Sequence, residues 1–180
     1  MTLVLGGARS GKSLYAEELI ERQPGASIYL ATAEAGDAEM AARIAAHRAR
    51  RGEGWTTVEA PLDLVGALQR ETGPGRAVLV DCLTLWLSNL MGAGRDVGNE
   101  CAGLIEVLPG LSGPVVFVSN EVGQGIVPDN AAARTFVDRA GRLHQDLGAV
   151  ADRVVFMTAG LPAELKTPAA EPRILKLHGS

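Results

Sequence analysis

The sequence predicts a single α/β domain built on a mostly parallel sheet with helices on both faces. Three observations point there. Five short apolar runs are spread through the 180 residues, and their nearly continuous apolar character suits strands buried on both sides. Longer segments of helical pattern lie between those runs, and such alternation builds open parallel sheets through right-handed crossovers. A glycine-rich turn follows the first run directly, at the edge of the sheet where ligands of such folds bind.

Taken in order, Thr2–Leu5 (TLVL) is the first strand, and Gly6 and Gly7 stop it. A helix follows over Ser13–Arg22, then a strand over Ser27–Ala31 (SIYLA). The alanine-rich helix over Asp37–Arg50 places Met40 and Ile44 on one stripe that can pack inward. Leu62–Glu71 has helical pattern, and Ala77–Asp81 (AVLVD) is a buried strand ending on an acid. Leu83–Met91 is a helix, after which Gly92–Glu100 (GAGRDVGNE) reads as a loop. The stretch from Asn89 to Val115 is short and interrupted by glycines, so any helix in it is expected to be stunted. Val115–Ser119 (VVFVS) and Arg153–Thr158 (RVVFMT) are the last two strands, joined by a helix over Asn130–Leu147. Ala159–Ser180 carries the weakest pattern. No repeat or linker divides the chain, so residues 1–166 are expected to form one domain. Residues 167–180 form an extension whose RILKL (Arg173–Leu177) either adds an edge strand or stays disordered.

Composition removes several classes. With 47% hydrophobic and 21% charged residues the chain is globular. A net charge of −4 argues against a protein that grips nucleic acid through its phosphates. Cys82 and Cys101 are too few for a disulfide framework or a zinc site. No apolar run approaches the ~20 residues needed to span a bilayer, and Gly6 and Gly7 cut short any signal-like start. A cytoplasmic location without stable membrane insertion is expected.

The turn after the first strand, GGARSGKS (Gly6, Gly7, Ala8, Arg9, Ser10, Gly11, Lys12, Ser13), fits G-x-x-x-x-G-K-[ST] at every required position. Glycines let such a loop curl so that backbone N–H groups point at phosphate oxygens. Lys12 adds charge for the outer phosphates, the Ser13 hydroxyl can coordinate Mg²⁺, and the helix directs its positive end at the same anion. The site is expected to take a nucleoside triphosphate on a P-loop NTPase-like (RecA-like) fold. A companion metal-binding acid should end a neighbouring buried strand, and Asp81 stands there; capping of the next helix is its bland alternative. Thr84 reads as a helix-start residue. A GTPase of the Ras type would carry Asn-Lys-x-Asp after a late strand, but VSNEVGQG offers Asn120-Glu121 without the lysine. The serine-glycine signature of ABC ATPases is missing too, and the charge balance argues against a DNA motor.

Several blocks beyond the loop then occur in a telling order. They are LGGARSGKS, YLATAEAGDAEMAARIAAHRARR, WTTVEAP, VLVDCLTLWLSNLM, VSNEVGQGIVPDNAAARTFVDRAGRLHQDL and TAGLPAELK. Together they resemble the bifunctional adenosylcobinamide kinase / adenosylcobinamide-phosphate guanylyltransferases of cobalamin assembly, over nearly the whole chain to Lys166. The resemblance implies two reactions: phosphorylation of adenosylcobinamide by ATP or GTP, then transfer of GMP from GTP to adenosylcobinamide phosphate through a covalent histidine intermediate. It implies that His47 is that histidine. It also implies nucleotide contacts at Ala31, Thr32, Ala33, Arg48, Ala49, Arg50, Arg51, Glu59 and Asp81, and a homo-oligomer, a trimer, which composition alone does not show.

Chemistry supports the assignment. A neutral imidazole can attack the α-phosphorus and hand the nucleotidyl group to a second acceptor, while Mg²⁺, Lys12 and nearby arginines neutralise the charge that develops. Glu39, Arg43 and His47 share a helix stripe at i, i+4, i+8. Read alone, His47 near a helix C-terminus is simply favourable there. His144 and His178 have no motif around them, and Trp55 and Trp86 read as packing residues. Glu121 either contacts substrate or metal or braces its loop. Asp81 stands where some relatives carry glutamate. A simple kinase with His47 incidental, or a nucleotide-dependent switch that binds a partner, are the competing readings.

Overall fold

The structure is a computed structural model that describes residues 1–34, 36 and 38–168, without the side chains of Glu39, Met40, Arg43 and Arg50. In chain order the elements are β1 (Thr2–Gly6), α1 (Lys12–Glu21), β2 (Ala26–Ala31), α2 (Ala38–Arg51), β3 (Trp55–Glu59), α3 (Leu64–Glu71), β4 (Arg76–Asp81), α4 (Leu83–Gly92), α5 (Val97–Val107), β5 (Val115–Asn120), α6 (Ala131–Val150), β6 (Arg153–Thr158) and β7 (Leu161–Lys166). One seven-stranded sheet has the order β3-β2-β4-β5-β1-β6-β7. All pairings are parallel except the last, in which β7 turns back antiparallel on β6.

The two-residue alternation of strands divides the core between two faces. Leu3 and Leu5, Ile28 and Leu30, Val78 and Val80, and Val115 and Phe117 point toward α3, α4, α5 and α6, with Trp86, Leu87, Leu90, Leu104, Leu143 and Leu147 packed over them. Val4, Tyr29, Leu79, Val116, Val118, Val155 and Met157 point to the other face, where Ala16 and Ile20 of α1 cover them. Burying a leucine or valine side chain is worth about 1.5–3 kcal/mol, so both faces hold the sheet. Trp86 is fully buried, and its indole N–H donates to the Leu62 carbonyl at 3.0 Å, which meets the polar demand of the ring. Side-chain caps at Asp63, Asp96 and Asn130 receive the amides of Gly66, Asn99 and Ala133 and open α3, α5 and α6, each worth roughly 1 kcal/mol.

The five expected strands and five expected helices are present, with ends shifted by a residue or a few. Two expectations need correction. Gly92–Glu100 is not a plain loop: α4 runs to Gly92 and α5 begins at Val97 on the Asp96 cap. That helix is 11 residues long rather than stunted, because Gly98 and Gly103 cost less than its cap and the burial of Leu104 return. Leu161–Lys166, in the stretch of weakest pattern, forms β7 and lies at one edge of the sheet among the described residues. RILKL lies outside the described residues. β3 is a further strand without an apolar run of its own. Among the described residues no helix is long and apolar enough to cross a membrane.

Candidate active site

The phosphate loop leaves the end of β1 between the ends of β5 and β6, with Gly6 paired to Asn120 and Met157. A Cβ on Gly6 would sit 2.6 Å from the Ser10 hydroxyl and 2.7 Å from the Met157 carbonyl, so only glycine fits. Gly11 takes φ 92° at the start of α1, a left-handed conformation that side chains resist. Arg9 also has positive φ, at 56°. The Gly160 N–H donates to the Ser10 carbonyl at 3.0 Å, so the β6–β7 turn supports the loop from behind. Lys12 is buried and its ammonium donates to the Gly7 carbonyl at 3.0 Å. Burial lowers its pKa, and the neighbouring Asp81 and Cys82 oppose that shift. Ser13 is half-buried in the first turn of α1, and Ala8 and Arg9 are exposed.

Asp81 ends β4 opposite Ala31 of β2 and Val118 of β5. It does not cap α4, whose N-cap is Cys82. Its Oδ2 is buried without a hydrogen-bond partner, which is costly for a carboxylate unless a cation completes it. With the Ser13 hydroxyl, Asp81 offers the oxygen donors a hard cation prefers. Among the described residues no cluster of three or more His, Cys, Asp or Glu forms a metal cage.

Thr32 ties β2 to this edge. Its N–H donates to the Asp81 carbonyl at 3.4 Å. Its hydroxyl donates to the Cys82 carbonyl and accepts from the Cys82 N–H, both at 2.8 Å, and its carbonyl accepts from the Asn89 amide at 2.8 Å. The side chain is fully buried, so its hydroxyl is committed to the fold. Asn120 donates to the Thr84 hydroxyl at 2.9 Å, which gives Thr84 a bracing task beyond starting a helix.

A cavity of about 720 Å³ opens over this edge and is roofed by α2. His47 lines it together with Tyr29, Asp81, Leu85 and Asn120, so the histidine and the strand-end acid share one space. Ala31, Ala33, Arg48, Arg51 and Glu59 also border it. Arg48 and Glu59 pair at 3.2 Å, both exposed, and such a pair contributes little to stability. Arg51 is buried instead, with its guanidinium carbon 3.4 Å from the Tyr29 ring centroid. Burial and the adjacent Asp81 carboxylate push the Tyr29 hydroxyl pKa up. Ala49 is exposed on α2 and is not part of the lining. The side chains of Glu39, Met40, Arg43 and Arg50 fall outside the described residues, while Ile44 lines the cavity.

On the opposite face, Glu121 follows β5, and its N–H donates to the Gly6 carbonyl at 3.1 Å. Its carboxylate accepts from the Gly123 N–H at 2.6 Å and lies 3.9 Å from His144 Nδ1. His144 is buried on α6, with Nε2 2.7 Å from the Ser119 hydroxyl. Glu121 therefore braces its own loop in this structure. Tyr29 and Asn120 are cavity residues that motif reading does not reach, because sheet order alone brings β2, β4 and β5 together.

The profile of the family CobU, cobinamide kinase / cobinamide phosphate guanyltransferase, matches residues 2–165. The bifunctional adenosylcobalamin biosynthesis protein CobP of Pseudomonas aeruginosa is 50% identical over 166 residues, covering 91% of this chain and 96% of that protein. The bifunctional adenosylcobalamin biosynthesis protein CobU of Escherichia coli is 39% identical over 181 residues, covering 92% and 99%. A solved protein from Pyrococcus horikoshii OT3, the subject of "Structural study of Project ID PH0250", superposes with a TM-score of 0.50 at 11% identity over 93% of this chain and 86% of that one, a likeness of fold alone. With a phosphate loop, a strand-end acid and a family match over almost its full described length, the chain belongs to the cobinamide kinase / cobinamide phosphate guanyltransferase family.

Proposed function

We propose that the family's two reactions run here on adenosylcobinamide and then adenosylcobinamide phosphate, with a covalent intermediate on His47. In the first, the γ-phosphate of ATP or GTP, held by Gly6–Ser13, passes to the acceptor's hydroxyl. In the second, an imidazole nitrogen of His47 bonds to the α-phosphorus of GTP, the α–β bridging bond breaks, and pyrophosphate leaves. A phosphate oxygen of adenosylcobinamide phosphate then displaces the histidine and yields adenosylcobinamide-GDP. Splitting the transfer lets one site serve two bulky partners in turn.

The observation that carries the reading is that His47 and Asp81 line one cavity at the edge bearing the phosphate loop. Lys12 and the loop amides neutralise phosphate charge, and Ser13 and Asp81 would hold Mg²⁺, which polarises the phosphoryl oxygens when bound. Ala31, Ala33, Arg48 and Glu59 border the nucleotide directly, and Thr32 supports them from below. Ala49 and Arg50 belong to this set by resemblance. Residues 1–166 act as the catalytic unit, a reading supported by a family match that ends at residue 165. Residues 167–180 are an extension. A cytoplasmic homo-oligomer, a trimer, is the assembly we assign by the same resemblance.

Incubation with Mg²⁺ and GTP labelled at the α-phosphate, followed by denaturation, should leave acid-labile label on the chain. His47→Ala should abolish it while much of the kinase activity persists. Active protein that never takes up label would leave a kinase without this covalent step.

A further inference from the structure

We infer that Arg51 serves His47 as a positioning residue, fixing the last turn of α2 to the body of the protein, rather than as a ligand of the nucleotide phosphates. The inference rests on the reading of His47 as nucleophile. Among the described residues of α2, Arg51 alone is buried, while the others are exposed or half-exposed. Its side chain is 3% exposed and that of Glu17, 3.9 Å away, is 4% exposed. Glu17 belongs to α1, the helix that grows out of the phosphate loop. A buried cation is expensive unless an opposite charge meets it, so the Glu17 carboxylate and the face of Tyr29 together hold this one in place.

Both partners are themselves fixed. Tyr29 is a central residue of β2, in register with Thr57 and Leu79, and it meets Trp55 edge-on at 6.3 Å. The Trp55 indole N–H donates in turn to Glu21 of α1 at 3.2 Å. Arg51 is therefore docked on groups set by the sheet and by α1. His47 precedes it by four residues, one turn earlier on the same side of the helix, so fixing Arg51 fixes the direction from which the imidazole enters the cavity. The Glu17 carboxylate, 3.9 Å from Arg51 Nη1, offsets part of the guanidinium charge, and the Nη1 nitrogen itself is buried without a hydrogen-bond partner. The exposed Arg48–Glu59 pair, screened by water, is a much weaker tether.

The test is single-turnover labelling of His47 by α-labelled GTP at rising GTP concentration, for Arg51→Ala, Arg51→Lys, Tyr29→Leu and Tyr29→Phe. Arg51→Ala and Tyr29→Leu should lower the saturating rate about 10- to 100-fold, with half-saturation shifted less than about threefold. Tyr29→Phe keeps the ring and should be less impaired than Tyr29→Leu, with the remaining loss owed to its hydroxyl beside Asp81. Arg51→Lys, which keeps the charge but loses the flat stack, should stay impaired. A normal saturating rate in Arg51→Ala with half-saturation raised about tenfold or more would make Arg51 a phosphate ligand and overturn the proposal. A second readout is amide exchange over residues 44–51, which should quicken in Arg51→Ala and Tyr29→Leu but not in Tyr29→Phe. Equal exchange in all the variants would also overturn it. If wild-type protein takes no label, the reading of His47 fails, and the exchange measurement alone decides the anchor. If Tyr29→Leu does not fold, Arg51→Ala carries both readouts.

Discussion

Replacing Thr32 by valine tests whether this residue ties the floor of the site together or touches the nucleotide. Valine has nearly the same shape, and the side chain is fully buried, so the change removes only the hydroxyl. That hydroxyl donates to the Cys82 carbonyl and accepts from the Cys82 N–H, each at 2.8 Å. The carbonyl keeps a second donor, the Trp86 N–H at 3.2 Å, so its loss is one net hydrogen bond, about 0.5–1.5 kcal/mol. The Cys82 N–H loses its partner inside the protein, at a cost of about 1–3 kcal/mol. Together we expect a destabilisation of about 2–4 kcal/mol, a large share of a typical domain's stability. Equilibrium denaturation in urea should show it as a lower midpoint with an unchanged slope. GTP affinity of the folded variant, measured by calorimetry, should weaken by less than about threefold, under 1 kcal/mol. A stability loss below about 1 kcal/mol together with GTP binding weakened about tenfold or more would refute the argument. The hydroxyl would then turn toward the nucleotide instead of Cys82.

Other outcomes follow from the same geometry. Gly6→Ala forces a methyl to within 2.6 Å of the Ser10 hydroxyl and 2.7 Å of a backbone oxygen; it should cost about 1–3 kcal/mol and abolish the rise in melting temperature that GTP gives, and a preserved rise would count against the packing argument. Lys12→Met should slow both phosphoryl and guanylyl transfer by about 10²–10³-fold, and retention of either reaction within about tenfold would remove Lys12 from that step. Burial holds the His144 imidazole below its ordinary pKa of 6.5, and Glu121 opposes the shift. The unfolded chain therefore takes up that proton more readily, so this contribution to stability is present above the ordinary value and lost as pH falls through the folded one. The denaturation midpoint should fall more steeply from about pH 7 to 5 in the wild type than in His144→Asn, and parallel curves would refute the assignment.

Legibility in the sequence followed the physics of each element. β1, β2, β4, β5 and β6 are buried on both faces and announce themselves as apolar runs. Among the described residues β3 and β7 are the edges, and edges need no such run. β3 reads WTTVE with no fully buried residue, and β7 reads LPAELK with proline and charges that discourage further pairing. α5 was hidden by Gly98 and Gly103, although Asp96 three residues before Asn99 was a local signal of its start. The phosphate loop is a contiguous motif, so its parts could be named one by one. Asp81 was legible because a charged residue ending a buried strand calls for an explanation. Tyr29 and Asn120 were not, since nothing near them in the chain marks them and only strand order brings them beside Asp81. The commitment of Arg51 to Tyr29 and Glu17 was hidden for the same reason, because in the sequence it is one of four closely spaced arginines.

The place of β1 in the sheet has a consequence for the order in which the protein comes into being. Its residues leave the ribosome before the strands on either side of it, which pair at Val116–Asn120 and Arg153–Met157. The backbone hydrogen bond that supports its loop from behind comes later still, from Gly160. The glycine-rich loop is thus synthesised well before the strands and the turn that complete its frame. Closing such distant contacts makes folding slow, and a chain halted before β6 would carry every residue of the phosphate loop without the frame that holds it open. Nucleotide, in turn, would stabilise only chains in which β5, β6 and the turn at Gly160 have already been made.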